Sequence, residues 1–383
     1  MLINTPTSDL IIYIRVVFNL KPDLSSMKKI FALLLFALTV VEFSFAQSSN
    51  TEMDYKEVSG RYGSNEGICL FDDGEFMLYG YATAVFGHYS FNKNELNFYP
   101  DKPEVFEIYA TVNKSIGDST KINFVGFDGR SLTFIRFAED GIHQVFNEDA
   151  NCFDGPFVYQ LPHRTKTVTL YGQAGRDVDS QKVAYTYQNR GGYNDFIVVY
   201  SPRQKENEDF NGIITKENNL AVIKLSNYGG GTGYFKNKSD EDEQKQWKEI
   251  MEMKEQYHQS KVATQNGILA NKHYQTFLQN DGDYHFDQAT YLYTSKTAAE
   301  NEAYFLSNPF SDNRYLRKFQ KQVLTKTDGT VAASNILPKP IFYTACEDPE
   351  KSYHYDGLPK PKGNEREKII PTTAPPPLPI KNN

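Results

Sequence analysis

The stretch Asn280–Asp287, NDGDYHFD, sets Asp281, Asp283, His285 and Asp287 at alternate positions. Calcium loops alternate oxygen ligands in this way, but they need a glycine at the sixth position and a distal glutamate. Phe286 holds the sixth position here, so the spacing predicts a solvated hairpin turn. His273 and His285 flank that hairpin and could bind a transition metal, although they lack a fixed helical spacing. With Asp283 they form the candidate catalytic set, two imidazoles and a carboxylate suited to general acid–base work. Such a set would act in a pocket against a neighbouring helix.

Other chemical signals are thinner. NYGGGTGYF (227–235) is glycine-rich, yet no helix opens at the glycines and no G-K-[ST] follows, so a flexible strand-to-helix loop is expected. Cys346, in YTACEDP, lacks a basic neighbour to lower its pKa, which leaves a nucleophilic role unsupported. No HExxH or CxxC spacing and no Ser-His-Asp order occurs. No metal and no cofactor is expected.

The elements that must position these groups fall into two regions. Residues 55–215 read as one short strand after another. GICLFDDGEFMLYGYATAVFGHYSF carries an Asp72-Asp73-Gly74 turn between two alternating apolar runs, a hairpin signal. NKNELNFYP, EVFEIYATV and KINFVGFDGRSLTFIRFA continue the pattern, and KTVTLYGQ, VAYTYQ and DFIVVYS (165–201) extend it. Short strands with regular turns predict an antiparallel barrel or sandwich; whether 165–215 joins that barrel or forms a separate sheet stays open. Cys69 and Cys152 lie near the first and last strands of the region as far as residue 160. Closure into a barrel would make those strands neighbours, so a Cys69–Cys152 disulfide is predicted. Closing about 84 residues would give roughly 4.5 kcal/mol on the chain-entropy model.

The order GRYG…LFDDGEFMLYGY…GHYSFNKNELNFYP resembles the lipocalin-like small barrels of exported bacterial proteins. The resemblance implies a barrel interior that could hold an apolar ligand, against which stands a core filled by side chains.

Residues 218–326 have a different rhythm. LAVIKLSNY reads as a strand and SDEDEQKQWKEIMEMKEQYHQ as a helix, with Ser239 and Asp242 as a capping box and acidic residues in its first turn. Trp247, Ile250, Met251 and Met253 lie largely on one side of it. HYQTFLQ and QATYLYTS follow as strands, then TAAENEAYFLS as a helix. RYLRKFQKQVL (314–324) fits either a strand or a helix. Read as β-α-β-β-α-β, the segment predicts a ferredoxin-like unit. The fold class expected is therefore α+β, mostly β. NGILANKHYQTF…YLYTSKTAAENEAYFLSNPFSDN also resembles the YCII-related proteins of the dimeric α+β barrel class. That resemblance implies homodimerisation through the C-terminal unit. It also implies activity resting on a helix histidine and on the aspartate of a DP corner. Here the helix shows Lys245, Gln246, Trp247 and Lys248, and the corner has Asn308, an amide that cannot serve as general acid or base. The implied chemistry is lost.

The location is written near the start. From Met27, Lys28 and Lys29 precede the apolar run Ile30 to Val41, and Ser44-Phe45-Ala46 places small residues before Gln47. This is the layout of a secretory signal peptide over 27–46, with a cut expected between Ala46 and Gln47; its apolar run is too short to span a bilayer. Residues 1–26 make no signal n-region, and Met1 is expected to be a misassigned start. Residues 1–46 carry four basic and three acidic groups, so the chain from Gln47 has a formal net charge of −8, against −7 for the whole. That charge argues against nucleic acid or an anionic membrane surface as partner. Residues 358–383, rich in proline and charge, predict a solvated tail. The sequence thus predicts an exported protein of the periplasm, cell envelope or exterior with no membrane span after cleavage. It would bind an apolar small ligand or an envelope protein without catalysis; an enzyme built on the C-terminal unit is the alternative.

Overall fold

Strands Gly60–Gly63, Gly67–Leu70, Glu75–Gly80, Thr83–Asn92 and Glu95–Pro100 run as an antiparallel meander. The computed structural model describes residues 54–357, apart from 82, 93–94, 129–131, 139, 176–179 and 278–280. The expected signal segment 27–46 and its expected Ala46–Gln47 cut, the upstream residues 1–26 and the tail 358–383 lie outside the described residues. The Asp72-Asp73-Gly74 turn forms as expected, with Gly74 in the left-handed region (φ 84°) and the Phe71 N–H donating to Glu75 O at 2.9 Å.

After this meander the chain leaves the sheet for more than a hundred residues and then returns. Strand Phe210–Glu217 pairs with Glu95–Pro100, setting Phe210 opposite Phe98. An Asn218-Asn219 turn, both residues left-handed, leads into Leu220–Leu225, and Tyr234–Phe235 follows. A bridge between Tyr62 and Lys236 and a 2.9 Å bond from the Asn237 N–H to Arg61 O bring the last strand against the first. The result is a nearly closed eight-stranded antiparallel barrel.

Period-two alternation sends Ile68, Leu70, Phe76, Leu96 and Phe98 to one face, where all are fully buried. Their rings interlock: Phe98 stacks on Phe210 at 4.6 Å and meets Phe76 edge-on at 5.2 Å. Gly87 makes room for this, since a Cβ there would lie 2.7 Å from the Phe76 ring and 2.4 Å from Tyr99 O. The short helix Tyr55–Val58 adds Tyr55 against Tyr89 and Phe91 at 5.2 and 4.9 Å, and Val58 O accepts from the buried Tyr62 hydroxyl at 2.8 Å.

The excursion builds a sandwich. One sheet runs, in spatial order, Phe157–Leu161, Thr120–Val125, Asp195–Tyr200, Phe106–Thr111, Tyr315–Gln322, Ile268–Ala270 and Thr276–Phe277. The other runs Thr325–Thr327, Lys182–Gln188, Thr167–Gln173, Phe134–Phe137 and Ile142–Gln144. They share a core that includes Phe106, Ile108, Phe124, Phe137, Leu170, Phe196 and Val198. Within 165–215, the strands up to residue 201 therefore belong to the sandwich and Phe210–Glu217 to the barrel.

The chain is α+β and mostly β. In its 218–326 segment a further strand, Tyr234–Phe235, precedes the long helix and four short strands lie between that helix and helix Glu302–Ser307, and these elements bond to both bodies. Leu220–Leu225 completes the barrel, helix Glu241–Gln265 lies on the barrel's outer wall, and Ile268–Ala270 and Tyr315–Gln322 extend the sandwich. The 314–324 stretch is a strand because Phe106–Thr111 and Ile268–Ala270 supply ladder partners on either side of it. The long helix is capped by Asp240, which accepts from the Glu243 N–H at 2.8 Å, one residue beyond the expected Ser239. Of the residues expected on its inner side, Ile250 is buried, whereas Met251 and Met253 are exposed.

The predicted Cys69–Cys152 disulfide is corrected: Cys152 bonds Cys346, with Cα atoms 5.1 Å apart, and Cys69 is a free, buried thiol. The barrel closes on Tyr234–Phe235, so Cys152, just ahead of a sandwich strand, never neighbours Cys69. The C-terminal segment instead runs beside residues 142–151. Ile336 bridges Ile142, Phe342 bridges Phe146, and the Cys346 N–H donates to Asn151 Oδ1 at 2.8 Å.

Candidate functional site

The three predicted catalytic residues do not converge. Asp283 and His285 are exposed on the Tyr284–Asp287 and Leu292–Ser295 hairpin. His273 is buried in the turn between Ile268–Ala270 and Thr276–Phe277. Among the described residues no hydrogen bond joins these three side chains, and no three His, Cys, Asp or Glu side chains gather around a point fit for a metal ion. Asp287 closes a local turn, accepting from the Ala289 N–H at 2.8 Å and the Thr290 hydroxyl at 2.6 Å. The glycine-rich stretch 227–235 links two barrel strands rather than a strand and a helix. Trp247 packs its ring 5.5 Å from Phe71, and the Asn308 amide donates to Tyr304 O at 3.0 Å, so both positions singled out by the YCII-like resemblance make structural contacts.

The structure gathers a different set on the sandwich's outer face. Asp195 opens an otherwise apolar strand and is buried. Its Oδ2 accepts from Asn113 Nδ2 at 2.6 Å and its Oδ1 from the Tyr274 hydroxyl at 2.8 Å. Asn194 locks the same loop: its Oδ1 accepts from the Asn113 N–H at 2.7 Å, and its Nδ2 donates to Asn113 O and Gly117 O at 3.0 and 2.9 Å. Burial pushes the Asp195 carboxyl above the ordinary carboxylate range, against the opposing pull of its two hydrogen-bond donors and of the charges on Arg317 and Lys121. Burial and the adjacent Asp195 push the Tyr274 phenol well above its usual value. The pair can therefore hold a proton out of water, a property shared by catalytic acids and by purely structural knots.

Tyr274 reaches Asp195 from a left-handed backbone (φ 63°), a costly conformation for an aromatic residue. Asn271 imposes it. Its Oδ1 accepts the His273 and Gln275 N–H groups at 2.9 and 3.1 Å, while its Nδ2 ties the turn to Phe310 O and Asp312 O. His273 Nδ1 lies 3.3 Å from the Tyr355 hydroxyl, and burial together with Lys272 lowers its pKa, favouring the neutral ring. Its Nε2 and Arg317 Nε are buried with no hydrogen-bond partner among the described residues. The sequence signal for this cluster was an aspartate heading the apolar run DFIVVYS, a charge that burial obliges to find partners.

No family model matches the chain, and no curated protein or solved structure matches it either.

Proposed function

We propose that the chain is an exported protein of the cell envelope that acts by holding a partner at its surface, without catalysing a reaction. The observation that carries this reading is the ring stack inside the barrel, where Phe76, Phe98 and Phe210 occupy the space an apolar ligand would need. Export is supported by the Lys28-Lys29 and apolar layout before Gln47 and by the Cys152–Cys346 bond, of a kind that persists in oxidising compartments. Among the described residues no helix is long and apolar enough to cross a membrane. Kinship with lipocalin-like barrels belongs to the same proposal, as does a second copy of the chain as partner.

Cross-linking in the native envelope with a lysine-reactive reagent tests the reading. A discrete adduct, to another envelope protein or to a second copy, is expected. A chain that stays unadducted and monomeric there contradicts it. A second reading, an enzyme, is favoured by one observation: the strained Tyr274 held against buried Asp195. That reading requires an activity that Tyr274→Phe abolishes while the fold survives.

A further inference from the structure

Helix Glu241–Gln265 rests on a wall of the barrel formed by Cys69, Phe71, Met77 and Phe86. The geometry points to this helix being a releasable cover, which detaches as a unit when its ionic contacts are broken and bares the wall around Cys69 while the barrel stays folded.

The grip is mostly charge. At the helix start, Arg61 Nε and Nη2 fork onto Glu243 at 3.0 and 2.6 Å, and Asn237 Nδ2 adds a third donor at 2.9 Å. Midway, Lys254 bonds Asp73, sits 3.1 Å from Glu75 and lies over the Phe71 ring at 4.4 Å. One turn on, His258 Nε2 meets Glu75 at 2.9 Å, the Tyr257 hydroxyl donates to Asp101, and Lys261 reaches Asp101 at 2.9 Å. The seam therefore sets Glu243, Lys254, Tyr257, His258 and Lys261 of the helix against Arg61, Asp73, Glu75 and Asp101 of the barrel, with the charge of His88 also acting on Asp101.

Apolar grip is slight for a helix of 25 residues, of which only Ile250 and Lys254 are buried. Trp247 and Tyr257 add half-buried rings. The barrel's own ladders and its interior stack use no helix atom. An element with few buried apolar contacts opens at lower free energy than the core beneath it. Acid and salt are the natural triggers. Burial pushes Asp73, Asp101 and Glu243 up, but their partners more than reverse this and leave all three below the ordinary carboxylate range. Depressed values of this kind contribute docking strength above the usual carboxylate pKa, and that strength is lost as pH falls through the lowered values.

The chain carries a native reporter on each side of the seam: its one tryptophan, Trp247, and its one free thiol, Cys69. The full chain is exposed to dithiodipyridine, a thiol reagent that works in acid, across descending pH and rising salt. Cys69 reactivity should climb together with a red shift of Trp247 emission while the strand signal in circular dichroism holds. Lys254→Met and Glu243→Gln should each raise reactivity at neutral pH about tenfold or more, the loss expected for a charged hydrogen bond. Exposed Lys248→Met should not. Reactivity that rises only in step with loss of the strand signal, or both seam variants reacting at the wild-type rate, overturns the proposal.

Discussion

The phenol of Tyr274 donates to Asp195 Oδ1 at 2.8 Å across 79 residues of chain. The contact pins the 271–275 turn to the sandwich face and gives a buried carboxyl one of its two side-chain donors. Tyr274→Phe keeps the ring and strips that donor. We expect a loss of about 1–3 kcal/mol, because the carboxyl stays buried and under-satisfied. Urea denaturation at neutral pH measures it; an unchanged midpoint would mean that water replaces the phenol.

The pH dependence of this site has a defined sign. Asp195 titrates higher in the folded chain than in the unfolded one, so the stability it contributes is fully present below the unfolded carboxylate value. That contribution is lost as pH rises from there through the folded value. Asp195→Asn cannot ionise, so the variant should gain on the wild type between about pH 4 and pH 7. Parallel denaturation series at the two pH values check this, and a gap that narrows toward acid instead of neutrality contradicts it.

The strap formed by the C-terminal segment depends on Cys152–Cys346, which closes a sequence separation of 194 residues. Removing it with Cys346→Ser should cost about 2–5 kcal/mol. Peptide mapping of the non-reduced protein should recover the Cys152–Cys346 pair and a free thiol at Cys69. Finding Cys69 in any disulfide would reject the chain path described above.

Phe98 packs against both Phe76 and Phe210 in the barrel. Phe98→Ala should destabilise by about 3–5 kcal/mol and leave an apolar void. Benzene should bind that void and raise the variant's melting temperature, with no effect on the wild type, because dry engineered cavities accept such ligands.

Local features were the legible ones. The Asp72-Asp73-Gly74 hairpin and its alternating flanks could be read because turn chemistry and period-two burial act within a few residues. Barrel closure could not, since the partner of Glu95–Pro100 is Phe210–Glu217, and no local pattern encodes pairing over such a distance. The expected Cys69–Cys152 pairing fails for the same reason, because the barrel closes on Tyr234–Phe235 rather than on a strand near Cys152. At 314–324, Leu316 and Phe319 satisfy a helix period, and only the flanking strands decide for β. The Asp195 site was hidden for the same reason: its donors lie 82 residues before it and 79 after it. His273 reads from the sequence as a metal or acid–base candidate, yet its ring nitrogen faces Tyr355, far along the chain.

Native mass spectrometry of the purified protein tests most directly the proposal that the chain works through its surface and not through its barrel. The account predicts a bare polypeptide mass for the chain under gentle ionisation, with extra mass arising only from a protein partner or a second copy. A stoichiometric apolar small molecule that is lost when Leu96→Trp crowds the interior would contradict it and make the barrel a carrier.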